Sequence, residues 1–373
     1  MISHRGYYFR MLLSMILLFF VSALYANTEE NAKAEKKEGN KEEKFNAGKM
    51  IMEHISDAHE WHIMEIGETP VAIPLPVILI DDGKLEVFMS SEFHHGTKSY
   101  HGYKIETAVK NKGKIVRVKE DGITTDESAA LPLDFSITKN VLSLFIGILL
   151  LCLIFISVAR RYTKNPNSAP KGLQTMLEFI ILFVRDDVVR PCIGEKKYKK
   201  FMPFLLTVFF FIFFNNLLGL IPFFPGGANL TGNIAVTMVL AVFVFVTTCF
   251  IAKKPYWIHI INAPGVPWWL KIPLPLMPIV EIMGVFTKPF VLMVRLFANI
   301  TAGHIIILGF ISLIFIFGNM SAGLGYGISI LSVGFSIFMG FLELLVAFLQ
   351  AYVFTLLSAI YFGMAMEEHH TEH

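Results

Sequence analysis

RLFANITAGH, residues 295–304, lies in the middle of an apolar run that extends from Ile279 to Phe317. Its first residue decides how the chain is read. An arginine at the centre of a membrane helix costs roughly 2.5–3.5 kcal/mol on insertion scales. With a pKa above about 12 it does not shed its proton to escape that cost. A permanent cation at such depth points to use against a membrane-buried carboxylate or along an ion path. The plainer reading is an arginine near a helix end whose guanidinium snorkels to the headgroups. Apolar sequence continues on both sides of Arg295, so snorkelling would have to reach past more than one helical turn.

The rest of the chain agrees with a membrane setting. Of 373 residues, 54% are hydrophobic and 17% charged, and 35 are Phe. That is the profile of a polytopic membrane protein with one soluble segment. The formal net charge of +2 identifies no partner. Cys152, Cys192 and Cys249 all fall within or beside the membrane part, so no disulfide framework holds the soluble segment. The sequence contains no phosphate-binding glycine loop, zinc-spaced cysteine set or nucleophile elbow. The expectation is therefore a chain without a catalytic centre, cofactor, resident metal or nucleic-acid partner of its own.

Residues 1–26 read as a secretory signal, with a charged start (His4, Arg5, Arg10), an apolar core Met11–Val21 and small residues around Ala23 to Ala26. The alternative is an uncleaved first membrane helix, for which that core is short. Residues 27–135 form an extension. Its first part, 27–44, is a Lys/Glu-rich linker with little to bury, and the remainder is a small α+β region. There MIMEHISDAHEWHIMEI (50–66) predicts a short helix, and AIPLPVILID, KLEVFMS, YKIETAV and KIVRVKE predict strands, with DDG and NKG as turns. His54, His59 and His62, near Asp57 and Glu60, have a spacing that could place two or three side chains near one helical face, as a metal site needs. Ordinary solvated histidines are the plainer reading.

Residues 136–373 make the membrane domain. Val141–Val158, Phe204–Phe223 and Ile234–Ala252 each approach the roughly 20 residues of a bilayer crossing. Leu276–Phe317 and Tyr326–Met364 are longer and predict strong tilt, a bend or a path along the membrane plane. LQTMLEFIILFVRDDVV (173–189) predicts an amphipathic helix at the interface. Arg160, Arg161, Lys164 and Lys171 follow the first crossing, Lys196, Lys197, Lys199 and Lys200 precede the second, and Lys253 and Lys254 follow the third. The loops 224–232 and 318–325 carry no charge. The positive-inside rule then puts 27–135 outside, gives five crossings and leaves the EEHHTEH tail, with His369, His370 and His373, in the cytoplasm. The fold class expected is an all-α polytopic membrane protein with a small α+β extension.

On an ideal helix, Glu281, Lys288, Arg295 and Asn299 fall within about 40° of one another, and His304 falls about 180° from Arg295. In the last segment Glu343 and Gln350 share a face, Tyr361 lies further along, and Ser332, Gly334, Ser336 and Gly340 thin the helix for close approach of a neighbour. Plainer readings stand beside these. Glu281 and Lys288 also fit an interfacial ion pair, and Asn299 fits interhelical glue. Gln350 alone says little. Glu343 is harder to dismiss, because it lies deep in an apolar run and needs a partner or water.

RLFANITAGH, NNLLGLIP (215–222) and FLQAYVFTLLSAIYFGMAMEEH (348–369) resemble the signature segments of subunit a of the F-type ATP synthase. The resemblance covers roughly residues 136–370. It implies that the two long final segments form a tilted hairpin against the rotating c-ring. It implies that Arg295 is the family's essential arginine, facing the carboxylates of the c-ring. It also implies that Asn299, Gln350, Glu281 and Tyr361 line the proton path or the rotor interface, and that Asn216, Gly219 and Pro222 form a structural motif. The partners implied are the c-ring, the peripheral stalk subunit b, protons and the lipid bilayer, in a bacterial inner membrane.

Two departures from the family pattern matter. Many bacterial relatives have an acidic residue where this chain has His304 and a histidine where it has Glu343, an exchange that resembles the mitochondrial version. The extension 27–135 lies outside the family pattern, and no function transfers to it. The mechanism implied is two offset aqueous half-channels. A proton passes His304 and Glu343 from outside and neutralises a c-subunit carboxylate. After nearly a full rotation Arg295 favours the charged carboxylate and so promotes release on the cytoplasmic side. Because arginine keeps its proton, it also blocks a direct short circuit. A membrane insertase, with Arg295 lining a groove for nascent chains, is the alternative. An arginine in the fourth crossing, next to Asn299 and His304, argues against it. A secondary transporter is a third reading, but no internal repeat or matched pair of broken helices is apparent.

Overall fold

The computed structural model describes residues 46–367 except 67–68, 107–110, 112, 120, 123, 167–168, 222–223 and 262–275. The signal and linker expected before residue 45, Pro222 and the C-terminal histidines lie outside the described residues. The described chain divides into two compact units: residues 58–61 with 73–137, and residues 46–57 and 62–72 with everything from 138 onward.

The chain runs through helix α1 (Ala47–Ile55) and strands β1 (Glu60–Ile66), β2 (Thr69–Pro74), β3 (Pro76–Asp81), β4 (Lys84–Met89), β5 (Tyr103–Ile105), β6 (Ile115–Arg117) and β7 (Leu133–Asp134). The helix expected over 50–66 thus stops at Ile55, and EWHIMEI is a strand paired with β2. Asp57 explains part of the break. Its carboxylate accepts from the Asn140 amide at 3.0 Å and from Thr138 Oγ1 at 2.8 Å, which draws the backbone away from a further helical turn. The strand expected over 72–81 is interrupted at Leu75, between two prolines that each lack an N–H for a ladder.

β3 is the centre of the first unit, with β4 antiparallel on one edge and β7 on the other, while β5 and β6 form a separate pair. Asp82 and Gly83 turn β3 into β4, with φ of 48° and 77°. Two successive positive φ values are what a two-residue hairpin turn requires, and the DDG motif supplies residues that tolerate them. Val77 and Leu79 point inward from β3 into a core with Phe93, Tyr103 and Ile115. The next inward residue is Asp81. It accepts from Tyr103 Oη at 2.8 Å and from Arg117 Nε, so its burial is compensated. The Arg117 hydrogen bond holds the Asp81 carboxyl below its usual range, and burial next to that carboxylate pushes Tyr103 up to about 12.

In the second unit come α2 (Lys139–Lys164), α3 (Leu173–Phe183), a π-helical stretch Val184–Val189, α4 (Arg190–Ile193), α5 (Tyr198–Leu220), α6 (Ile234–Ile251), α7 (Lys254–Ile261), α8 (Leu276–Met320) and α9 (Ala322–Met366). Five of these, α2, α5, α6, α8 and α9, are long and apolar enough to cross a membrane, matching the expected crossings. The starts follow local capping: Thr138 accepts from the Val141 amide, Asn233 from Ala235 and Ser321 from Leu324. α3 through α4 continues the expected amphipathic segment, burying Leu177, Val184, Val188 and Val189 while Phe179 stays exposed. Its charges gather at the far end, where Asp186 pairs with Arg185 and Arg190, each at 2.8 Å.

α8 and α9 have 45 residues each, about 68 Å of helix at 1.5 Å per residue. That is more than twice a hydrocarbon core of about 30 Å, so neither stands upright in a bilayer. They pack along each other and, with α5 and the π-helical stretch, bury a core that includes Leu205, Phe209, Ile212, Leu292, Leu296, Phe354 and Phe362. Gly363 permits a backbone approach: a Cβ there would sit 2.0 Å from the Cys192 carbonyl oxygen. The outward faces are equally apolar, with Ile330 81% and Phe341 70% exposed. Helices apolar on both faces have a non-aqueous solvent or partner.

Candidate functional site

Two polar constellations sit on α8, on different faces. Arg295 and Asn299 are both exposed on the outer surface of the chain. Among the described residues no carboxylate pairs with the Arg295 guanidinium, and Phe290 and Val291 of the same helix are also exposed. Its backbone, by contrast, is held: Gln350 is 3% exposed, and its Nε2 donates to the Arg295 carbonyl at 3.2 Å. Gln350, weak in sequence, therefore ties α9 to α8 at the arginine.

The second constellation lies between α8 and α9. His304 Nδ1 and Glu343 Oε1 share a hydrogen bond. Glu343 is buried, and its second oxygen takes no partner among the described residues. The helices touch closely here, since a Cβ on Gly303 would stand 3.0 Å from Glu343 Oε1. Gly219 of α5 has the same function on the other flank: its missing side chain leaves His304 Nε2 4.0 Å and the Ala228 carbonyl 3.4 Å from where a Cβ would be. Asn216 accepts from Thr231 Oγ1 at 2.6 Å and donates to the Ala347 carbonyl at 3.4 Å, fixing α5 against α9 one turn from Glu343.

Sequence reasoning missed Thr301 and read Ser336 only as a small residue that thins α9. Thr301 Oγ1 and Ser336 Oγ are buried without a partner in the chain. Thr301 is three residues before His304 and Ser336 seven before Glu343, so the same helical arithmetic that grouped the charged residues would have put them on this seam. Buried unsatisfied polar atoms are rare and call for an explanation. Three of them, Glu343 Oε2 and the hydroxyls of Thr301 and Ser336, lie on the two long apolar helices α8 and α9.

Glu281, Lys288 and Tyr361 form a third group. Lys288 Nζ lies 5.6 Å from the centre of the Tyr361 ring, a cation–π arrangement. Glu281 is within electrostatic range of Lys288 but makes no ion-pair contact with it, so the simple ion-pair reading of these two does not hold. Thr248, Cys249, Tyr256, Lys288 and Tyr361 line a small cleft between α6, α7, α8 and α9. Of the small residues expected to admit a neighbour along α9, Ser332 is buried within the chain, whereas Gly334 and Gly340 face open space.

His54, His59 and His62 do not share a helical face. His59 Nε2 pairs with Asp134 at 2.8 Å, His62 is on β1 and His54 is on α1. Among the described residues no three His, Cys, Asp or Glu side chains are grouped to hold a metal ion.

Comparison with known proteins gives two family matches. The model described as ATP synthase A chain matches residues 141–363. A domain of unknown function, DUF8433, matches residues 50–135. Among curated proteins, the chain is 44% identical over 247 residues to ATP synthase subunit a of Chloroherpeton thalassium, covering 64% of this chain and 70% of that one. It is 47% identical over 238 residues to ATP synthase subunit a 2 of Chlorobaculum tepidum, covering 62% and 64%. It is 42% identical over 250 residues to ATP synthase subunit a of Myxococcus xanthus, covering 65% and 77%.

Proposed function

The chain belongs to the ATP synthase A chain family, subunit a of the Fo sector, and from this premise we propose that Arg295 meets the c-ring carboxylates while His304 and Glu343 deliver protons to them. As subunit a it is a multi-pass, non-catalytic, proton-translocating component of a bacterial Fo, the stator of the proton channel. Membership of this family removes the insertase and transporter readings.

The observation that carries the proposal is the separation of the two constellations on α8. The Arg295 residue is exposed and, among the described residues, its guanidinium has no carboxylate partner. The imidazole and carboxylate are paired inside the α8–α9 seam. An exposed cation on an apolar face is supported energetically by a carboxylate of a partner. A buried imidazole hydrogen-bonded to a carboxylate joins a proton donor to a proton acceptor, the elements of a relay. Arg295 and the His304–Glu343 pair therefore have distinct tasks: Arg295 favours proton loss from the incoming rotor carboxylate, and the pair reprotonates it from a separate aqueous path. Asn299 and Gln350 position the arginine stripe. The cleft at Lys288 and Tyr361, with Glu281, serves the path on the opposite side of the membrane. The peripheral stalk subunit b completes the stator, and the extension lies on the outer side.

Arg295→Ala in the assembled enzyme, reconstituted in liposomes, tests the reading. Proton-driven ATP synthesis is expected to disappear although the ring is retained. Normal coupled synthesis in that variant would overturn it.

A further inference from the structure

We propose that His54 of α1 is a proton-accepting group at the outer mouth of the path to His304 and Glu343, so that the segment ahead of the first membrane helix supplies part of the proton inlet. The inference rests on the channel reading above. It concerns a residue within the stretch matched by a domain of unknown function, to which the family comparison assigns no part in proton transfer.

Three observations place His54 for this task. First, residues 46–57 belong to the same compact unit as the membrane helices, and α1 packs directly on α8, the helix that carries His304. Second, the segment is anchored. Asp57 accepts from Thr138 Oγ1 and the Asn140 amide at the start of α2, and Lys139 Nζ donates to the His54 carbonyl at 3.2 Å. Third, the His54 imidazole lies within electrostatic range of His304, while its residue keeps solvent exposure. His54 thus combines exposure to solvent with electrostatic influence from the first residue of the buried pair.

The charges around His54 come from every packed element: Lys139 on α2, His304 on α8, His62 on β1 and Asp57 on its own segment, the last offsetting Lys139. Burial, then Lys139, His304 and His62, hold the imidazole below its ordinary value. It is therefore neutral and able to accept a proton near neutral pH, and the same neighbours disfavour keeping that proton. A neutral imidazole with a short residence for its proton passes it onward rather than storing it. The step is a plain proton relay: water on the outer side gives a proton to one ring nitrogen of His54, and the proton moves on through the hydrated mouth to His304.

The test uses the whole enzyme in liposomes, with acid–base jumps that set the pH on the extension side. Content of ring subunit per enzyme checks assembly. His54→Gln is expected to lower ATP synthesis about threefold at neutral and alkaline pH on that side, with the deficit closing at acid pH, where protons are abundant. Free imidazole added on that side should restore the rate. Synthesis equal to that of the unsubstituted enzyme at every pH overturns the proposal. So does a loss of constant size across pH that imidazole does not relieve, because that is a structural effect. Arg295→Ala run in parallel separates the two levels: coupled synthesis there overturns the channel reading itself, and loss there with an unaffected His54→Gln overturns only the inlet.

Discussion

His304 Nδ1 and Glu343 Oε1 hydrogen-bond across the α8–α9 seam although 39 residues separate them in the chain. Among the described residues neither group has another ion-pair partner, and the remaining Glu343 oxygen is buried without a hydrogen bond. His304→Ala and Glu343→Ala are each expected to slow proton translocation strongly. The double exchange, His304→Glu with Glu343→His, should recover more activity than either single exchange. Proton flux in reconstituted, assembly-checked enzyme decides this, and equal losses in all three exchanges would break the coupling.

Glycine substitutions should separate folding contacts from outward faces. Gly363→Ala puts a methyl 2.0 Å from the Cys192 carbonyl, so membrane yield and thermal stability of the chain should fall, overpacking costing about 1–3 kcal/mol or more. Gly340 meets nothing within 4 Å, and Gly340→Ala should leave the chain intact or slightly more stable. Gly340→Leu should still insert but hold the ring poorly, measured as ring subunit retained on purification.

The acid and alkaline limits of the extension follow from Asp81 and Tyr103. The Arg117 hydrogen bond depresses the Asp81 pKa, so its stabilisation is present above its ordinary value of 3.8 and is lost as pH falls through the lower folded value. Tyr103 is raised from 10.0 to about 12, so its contribution is present below 10.0 and is lost as pH rises through about 12. Proteolytic protection of residues 73–135 in the whole enzyme should be flat between these limits and fall beyond both. Arg117→Gln should move the acid limit upward, and an unmoved limit would remove Asp81 as its cause.

Trypsin tests the orientation. Lys84 and Lys98 are exposed. Cleavage there is expected in spheroplasts and not in sealed inverted vesicles. The opposite pattern would reverse the topology.

Much of the membrane fold was legible because long apolar runs state their own structure: the five crossings and the two overlong final helices needed no knowledge of contacts. Helical periodicity groups Glu281, Lys288, Arg295 and Asn299 on one stripe, whereas the contact of Lys288 with the Tyr361 ring is tertiary. The failures were tertiary. MIMEHISDAHEWHIMEI has the residues of one helix, yet Asp57 is drawn to the α2 amide and EWHIMEI to β2, which no local pattern announces. Thr301, and the polar character of Ser336, escaped because a hydroxyl in an apolar helix usually bonds its own backbone, and only packing showed these two without a partner among the described residues.

Asp57 has a consequence for anyone shortening this protein. The boundary between the extra sequence and the family match, near residue 136, is not where the chain can be cut cleanly. A deletion ending there discards the carboxylate that closes the exposed amide of Asn140 and the hydroxyl of Thr138, leaving the first membrane helix with a frayed beginning. An excision confined to 73–137, bridged by a short linker, retains that carboxylate together with α1. The two deletions remove overlapping stretches of gene, yet only the second spares the stopper on which the first transmembrane span begins.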